Sequence, residues 1–137
     1  MVLLDGYSLT VADVIKVARN FAEVGLSDSG RKQIIASREI VEKILASETP
    51  VYGISTGFGD FSRIFISKEK REKLQRNLIL SHATGVGEYL PEDVVRAAML
   101  LRANSLAKGY SGIRLSTVEM LLAMINNRVY PAIPSQG

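Results

Sequence analysis

The chain has 137 residues, no cysteine and one histidine, and its 17 Lys and Arg residues against 14 Asp and Glu give a net charge of +3. These totals exclude a disulfide framework and a thiolate metal site, and they predict no metal centre. With 47% hydrophobic and 23% charged residues, the chain is expected to form one folded domain over residues 1–137, with no nucleic-acid partner and no membrane span.

The chain begins with a short apolar run, Val2-Leu3-Leu4, that is compatible with a strand. Thr10 then begins a first helix, because it is a good N-cap and Asp13 three residues later makes a weaker form of the capping box. The N-terminus meets Asp5 too early for a signal peptide. Since the lack of cysteine also fits a reducing compartment, we expect a cytoplasmic protein.

Two longer helices are predicted on either side of an irregular stretch over residues 51–66. Ser27 or Asp28 caps the second helix, and Pro50 is expected to end it, since proline disfavours helical geometry in the residue before it. Ser67 caps the third helix. Two glycines end that helix in the run Ser81-His82-Ala83-Thr84-Gly85-Val86-Gly87.

The fourth predicted helix has Pro91 in its first turn and stops at Gly109. Ser116 and Glu119 then form a capping box for a fifth helix. The fourth helix is apolar around much of its circumference, and such a helix is usually buried on most sides. A domain of this size can hardly cover it alone, so we predict further protein against it, either more chain or partner subunits.

The stretch Val-Tyr-Gly-Ile-Ser-Thr-Gly-Phe-Gly, residues 51–59, puts Tyr52 at the root of a glycine-rich loop. Neither Gly57-Phe58-Gly59 nor Gly85-Val86-Gly87 has the third glycine of a dinucleotide fingerprint, and no Gly-Lys-Ser/Thr follows, so phosphate binding is rejected. Glycines permit positive φ angles, and a loop of this length in a compact helical domain is more often functional than idle.

Taken alone, each candidate side chain has a plain structural explanation. A tyrosine is most often a packed aromatic, and it acts as a general base only if its pKa, normally about 10, is lowered. His82, the sole histidine, is expected to cap the third helix, although it can also bind a polar ring as donor or acceptor. We interpret Asn104, Lys108 and Arg114 as helix-end and packing contacts.

Four blocks of sequence nevertheless occur in order along the chain, over residues 51–59, 74–87, 102–114 and 130–134. Together they strongly resemble the aromatic amino acid ammonia-lyases and aminomutases. The resemblance implies a mainly α fold, the N-terminal domain of the fumarase/aspartase-like ammonia-lyase fold, with about five helices, a little short strand and a glycine-rich tyrosine loop. The Ser81-His82 pair is similar to that of histidine ammonia-lyases, and some tyrosine aminomutases share it, whereas plant-type phenylalanine lyases usually carry Phe-Leu.

The resemblance also implies a chemistry. The family's electrophile is a methylidene-imidazolone (MIO), formed autocatalytically from an internal Ala-Ser-Gly, with no metal. The small-molecule amino acid engages it, a base removes the β-proton and ammonia leaves, so that L-histidine gives trans-urocanate. Tyr52 matches the family's tyrosine base, and His82 and Gly59 match substrate contacts. The glycines would let the loop close Tyr52 over the substrate.

One departure from the family is plain: the 137 residues contain no Ala-Ser-Gly. In the family that tripeptide comes shortly after the position of Gly137. The resemblance therefore implies the N-terminal part of a longer, homotetrameric enzyme, inactive alone. Two alternatives stay open, namely a tyrosine or phenylalanine ammonia-lyase or 2,3-aminomutase, and a non-catalytic helical assembly module.

Overall fold

Helices make up most of the backbone that the computed structural model describes, which comprises residues 1–47, 50–56 and 68–136. Within these ranges the helices are α1 (Val11–Ala18), α2 (Asp28–Ala46), α3 (Lys68–His82), α4 (Glu92–Ala107) and α5 (Leu115–Asn126). The short strands are β1 (Val2–Leu4), β2 (Val24–Leu26), β3 (Val86–Tyr89) and β4 (Pro134–Gln136). This confirms the mainly α prediction. None of the described helices is both long and apolar enough to cross a membrane.

The first helix is fixed by its own sequence. The Thr10 hydroxyl accepts a hydrogen bond from the Asp13 amide at 3.2 Å, and the Asp13 carboxylate accepts one from the Thr10 amide at 3.3 Å. Both halves of the predicted capping box are therefore present. Hydrogen bonds from the Thr10 hydroxyl and the Lys16 ammonium lower the pKa of Asp13 to about 2.

A small parallel sheet joins the N-terminus to the segment after α1. Strand β1 pairs with β2, which the sequence analysis did not predict, and Val2 lies opposite Val24. The side chain of Asn126, at the end of α5, extends this pairing. Its Oδ1 accepts from the Val24 amide at 3.0 Å, and its Nδ2 donates to the Val24 carbonyl at 2.9 Å. One amide side chain thus satisfies both backbone groups of Val24.

Helix α4 forms the centre of the core and packs against α1, α2, α5 and β1. One face of α4 is buried, through Val95, Arg96, Met99, Leu100, Ala103, Leu106 and Ala107. The opposite face leaves Val94 46% and Leu101 51% exposed. The chain therefore exposes apolar surface on α4, as predicted, because its own elements cover only one side of the helix.

Arg96 is a buried charged residue of this core, at 3% exposure. Its Nε donates to the Tyr130 hydroxyl at 2.7 Å, and Nη1 donates to the Ala18 carbonyl at the end of α1. The guanidinium also lies 4.1 Å from the Phe21 ring centroid and 4.6 Å from that of Tyr130. Buried hydrogen bonds and cation–π contacts offset its desolvation, so Arg96 ties α1 and the segment after α5 to α4.

Two of the predicted helix boundaries at α2 and α5 are wrong. Helix α5 begins at Leu115 with Arg114 as its N-cap and no side-chain cap. The predicted box fails because Ser116 already lies in the first turn and the Glu119 carboxylate binds Arg31 at 2.6 Å instead. Helix α2 ends at Ala46, before Pro50, where the Ser47 hydroxyl donates to the Ile44 carbonyl at 3.0 Å.

The predictions around α4 and α3 have mixed outcomes. Pro91 is the N-cap of α4 instead of a first-turn residue. The stop at Gly109 is confirmed, since its φ is +72° and an added Cβ would lie 2.6 Å from the Gln33 carbonyl oxygen. The predicted cap Ser67 lies outside the described residues.

Candidate active site

The tyrosine segment forms a tight turn over residues 51–55. The amides of Ile54 and Ser55 both donate to the Val51 carbonyl, at 3.1 and 3.0 Å. The Ser55 hydroxyl accepts from the Val51 amide at 2.8 Å, which closes the turn from the side-chain end. Gly53 has a φ of +72°, a conformation that costs glycine nothing and strains other residues. The glycine beside Tyr52 is therefore required by the turn.

Tyr52 and the residues that anchor its turn differ in exposure. Tyr52 is 62% exposed, whereas Ser55 is 1% and Thr56 4% exposed. The turn is held by small buried hydroxyl residues while its aromatic side chain remains accessible from outside the chain. Gly59 and the rest of the predicted loop, residues 57–66, lie outside the described residues, and so their part in the site stays a prediction.

His82 is the last residue of α3, and its side chain is exposed. Its Nδ1 lies 2.8 Å from the Leu78 carbonyl oxygen, one turn earlier, and 3.0 Å from the Ser81 hydroxyl. Ser81 also donates to the Leu78 carbonyl at 2.9 Å. These contacts fix the imidazole against the helix end, as the helix-capping interpretation predicted, while Nε2 has no hydrogen-bond partner among the described residues.

A second small sheet follows His82 directly. Strand β3 pairs antiparallel with β4, so that Val86 lies opposite Gln136 and Tyr89 opposite Pro134. A Cβ added at Gly85 would lie 2.9 Å from the Pro134 ring, so the close approach of the two strands requires glycine there. The sequence analysis interpreted Gly85 as a helix breaker and did not predict this sheet. Because Gln136 lies opposite Val86, the end of β4 lies beside a residue that follows His82 by four positions.

Tyr52 and His82 lie on segments that add no side chain to the hydrophobic core of the described residues. The hydrogen bonds of the His82 ring run to its own helix and none of them joins it to Tyr52. Both side chains are exposed in the part of the chain that the structure describes.

The remaining candidates have structural contacts. The Asn104 carboxamide oxygen accepts from the Gly6 amide at 3.1 Å, and Lys108 lies 5.4 Å from the centroid of the Tyr7 ring. Arg114 is the N-cap of α5. In the described ranges, no group of three His, Cys, Asp or Glu residues could hold a metal ion. Tyr52 and His82 stay the predicted site residues, and the contacts of His82 with the Leu78 carbonyl and the Ser81 hydroxyl were not predicted from the sequence.

Comparisons of sequence place these observations in a family. The family model described as "Aromatic amino acid lyase" matches residues 9–137. A histidine ammonia-lyase of Caldanaerobacter subterraneus subsp. tengcongensis is 57% identical over 136 residues, which is 99% of this chain and 27% of that protein. A histidine ammonia-lyase of Bacillus subtilis is 53% identical over 137 residues, all of this chain and 27% of that protein. The chain thus spans about a quarter of the length of these curated relatives.

Solved structures agree with the sequence comparisons. Histidine ammonia-lyase from Trypanosoma cruzi superposes with a TM-score of 0.91 and 42% identity, covering 99% of this chain and 27% of that one. Tyrosine aminomutase from Streptomyces globisporus superposes with a TM-score of 0.91 and 40% identity, covering 99% of this chain and 26% of that one. The fold is therefore that of the aromatic amino acid lyases and aminomutases.

Proposed function

Since this chain belongs to the aromatic amino acid lyase family, we propose that it is the N-terminal domain of a histidine ammonia-lyase. The reaction is the elimination of ammonia from L-histidine to give trans-urocanate. Identity of 57% to a histidine ammonia-lyase across 99% of the chain supports this substrate over tyrosine. In this proposal Tyr52 is the base, and His82 and Gly59 contact the substrate.

The pairing of β3 with β4 is the observation that carries the proposal. Gln136 lies opposite Val86, and Val86 follows His82 by four residues. In the family, the Ala-Ser-Gly that forms MIO comes shortly after the position of Gly137. A polypeptide that continued from β4 would therefore begin beside the segment that carries the substrate-contact histidine. This arrangement favours an active site over a non-catalytic assembly surface.

The MIO group would come from polypeptide outside these 137 residues, which contain no Ala-Ser-Gly. When present, it supplies the electron-poor centre that engages the amino acid and promotes the loss of ammonia. Two features of this chain fit such a group: the accessible side chain of Tyr52, and the Nε2 of His82, which faces no described partner. Both could meet a substrate held by another segment.

The chain's own residues then have distinct tasks. The Tyr52 oxygen takes the β-proton of the substrate, which makes it a general base. The imidazole of His82 binds the polar ring of the substrate and so orients the β-carbon toward Tyr52. Gly59, which lies outside the described residues, contacts the substrate in this proposal. The contact between His82 and the substrate ring thereby selects which amino acid is placed beside Tyr52.

The same proposal includes the partners and the location. The exposed apolar side chains of α4 and the exposed α3 residues Ile79 and Leu80 would be covered by the remainder of the enzyme and by further subunits of a homotetramer. Without that cover the chain alone is expected to be inactive. We propose a cytoplasmic location, in keeping with the absence of cysteine.

A chimera tests the base directly. This chain replaces the matching residues of the Caldanaerobacter relative, and the absorbance of urocanate is followed with L-histidine. Tyr52→Phe is expected to lower kcat by about 10²- to 10⁴-fold, the usual contribution of a general base. Tyr89→Phe is the matched control, because Tyr89 is a similarly exposed tyrosine on β3. The loss of water from the intact mass shows that MIO has formed, and a near-normal kcat for Tyr52→Phe would rule out the base role.

A tyrosine-specific enzyme is the second candidate, supported by the likeness to tyrosine aminomutase. The product formed from L-tyrosine distinguishes a tyrosine aminomutase from a tyrosine ammonia-lyase. An aminomutase returns the amino group to the β-carbon, and a tyrosine lyase releases an unsaturated aromatic acid. Conversion of L-tyrosine without conversion of L-histidine would replace the first proposal with this one.

A further inference from the structure

His82 is the sole histidine of the chain, and three short contacts decide how its ring is protonated. The Leu78 carbonyl oxygen lies 2.8 Å from Nδ1, and the Ser81 hydroxyl oxygen lies 3.0 Å from the same nitrogen. The Ser81 hydroxyl also lies 2.9 Å from the Leu78 carbonyl and donates to it. Leu78, Ser81 and His82 therefore form one closed hydrogen-bonded group at the end of α3.

The chemistry of these partners leaves a single tautomer for the neutral ring. A carbonyl oxygen can only accept, so the nitrogen beside it must carry a proton. The Ser81 hydroxyl gives its own proton to the same carbonyl, and the lone pair that remains can accept from Nδ1–H. When Nδ1 of a neutral imidazole is protonated, Nε2 is an acceptor. In this structure Nε2 is the nitrogen without a described hydrogen-bond partner.

We propose that Ser81 is a positioning residue, which together with the Leu78 carbonyl holds neutral His82 with its proton on Nδ1 and so makes the site selective for a substrate ring that donates a hydrogen bond. The inference rests on the proposed function, since it concerns the ring contact of the same substrate. An imidazole N–H or a phenol O–H satisfies the lone pair of Nε2. A phenyl ring does not, and it would leave that lone pair desolvated and unpaired.

Nitrogen-15 NMR of the chain tests the tautomer without any substrate. The long-range spectrum of the imidazole contains one ring, because the chain has one histidine. At a pH where the ring is neutral, the signals are expected to show a protonated Nδ1 and an unprotonated Nε2. The reverse pattern would overturn the inference. It would leave the proton abstraction by Tyr52 untouched, so the two failures can be told apart.

Two variants test the part played by Ser81. In Ser81→Ala, the population of the Nδ1-protonated form is expected to fall, because one of the two acceptors is lost, and Ser81→Thr is expected to restore it. If Ser81 only stabilises the end of α3, Ser81→Ala lowers the melting temperature and leaves the tautomer ratio unchanged. That result overturns the positioning role.

Kinetics in the chimera give the second readout. Ser81→Ala is expected to raise KM for L-histidine about 2- to 12-fold, the range for one hydrogen bond, with a smaller change in kcat. Ser105→Ala, an exposed serine of α4, is the matched control and should leave both constants unchanged. An unchanged KM in Ser81→Ala, with the MIO mass loss present, would refute the inference.

Discussion

The packed region of the molecule, which comprises β1, α1, β2, α2, α4 and α5, differs sharply from the candidate region, which comprises the turn at residues 50–56 and helix α3. In the packed region, a capping box, a buried arginine and a continuous apolar core hold the elements together. In the candidate region the side chains of Tyr52, Ile79 and Leu80 are each at least 62% exposed.

The comparison indicates that the packed region stabilises the fold, whereas the candidate region carries the side chains proposed for the chemistry. Side chains that face the core are buried within this chain, whereas the side chains of Tyr52 and His82 are exposed, where a substrate and more protein would meet them. Regions with few buried apolar contacts open at low free-energy cost, and binding segments are commonly drawn from them. We therefore expect substitutions of buried side chains in the packed region to lower the free energy of unfolding, and substitutions of exposed side chains in the candidate region to leave it nearly unchanged.

The largest effect is expected in the core. Leu100 is fully buried in α4, so Leu100→Ala should lower the free energy of unfolding by about 2–5 kcal/mol through lost contacts and a residual cavity. Ile79→Ala, at a side chain that is 70% exposed in α3, should change it by less than about 0.5 kcal/mol. Urea denaturation of both variants measures the contrast. Equal losses would show that α3 is packed as tightly as the core.

Substitution of Arg96 tests whether buried polar contacts stabilise the packed region. Arg96→Met keeps most of the apolar volume but removes the donors to the Ala18 carbonyl and the Tyr130 hydroxyl. The expected loss of stability is about 1.5–3 kcal/mol, the range for hydrogen bonds to a charged group. Arg102→Met, on the exposed side of α4, is the control. If thermal denaturation finds the two variants alike, the Arg96 contacts add nothing to stability.

The helix caps give a smaller effect. Thr10→Ala removes the side-chain cap of α1 and should destabilise the chain by about 1 kcal/mol. Ser116→Ala should cost much less, because Ser116 lies within the first turn of α5 and is not its cap. The midpoints of urea denaturation of the two variants provide the comparison. A greater loss of stability for Ser116→Ala would support the capping box that the sequence predicted for α5.

The smallest expected effect is on the stability of the chain at low pH. The pKa of Asp13 is about 2 in the folded chain, below its ordinary value of 3.8, mainly through the Thr10 hydroxyl. Because the unfolded chain binds this proton more tightly, the stabilisation is present above about pH 4 and is lost as the pH falls toward 2. Asp13→Asn should flatten that part of the curve of melting temperature against pH. The carboxylate is exposed, so salt should weaken the effect, and an unchanged curve would contradict the assignment.

Local patterns predicted more of the fold than patterns between distant residues did. The capping box of α1 spans three residues and was predicted correctly, since its donors and acceptors are neighbours in sequence. Strand β2 was missed because three residues with a central glycine give almost no signal, and its pairing with β1 and with Asn126 joins distant positions. The cap predicted at Ser116 failed for a similar reason, since the Glu119 carboxylate binds Arg31, 88 positions away.

The sequence suggested residues for the candidate site, and these assignments stay predictions, whereas the local geometry around them could not be predicted. Tyr52 and His82 were singled out through resemblance to a family, because a lone tyrosine or histidine is usually structural. The sequence could not show that Ser55 closes the tyrosine turn, or that a backbone carbonyl at Leu78 fixes the imidazole. Backbone acceptors carry no side-chain signature, and the contact of Gly59 stays a prediction.

The pairing of Val86 with Gln136 also has a consequence for anyone who labels this molecule. A fluorophore attached at Gln136 would lie next to the strand that follows the imidazole, where its bulk and charge would disturb the group under study. An attachment at Met1, which is 76% exposed, avoids this. If that attachment is free of histidine, it also keeps the single imidazole as a clean spectroscopic reporter.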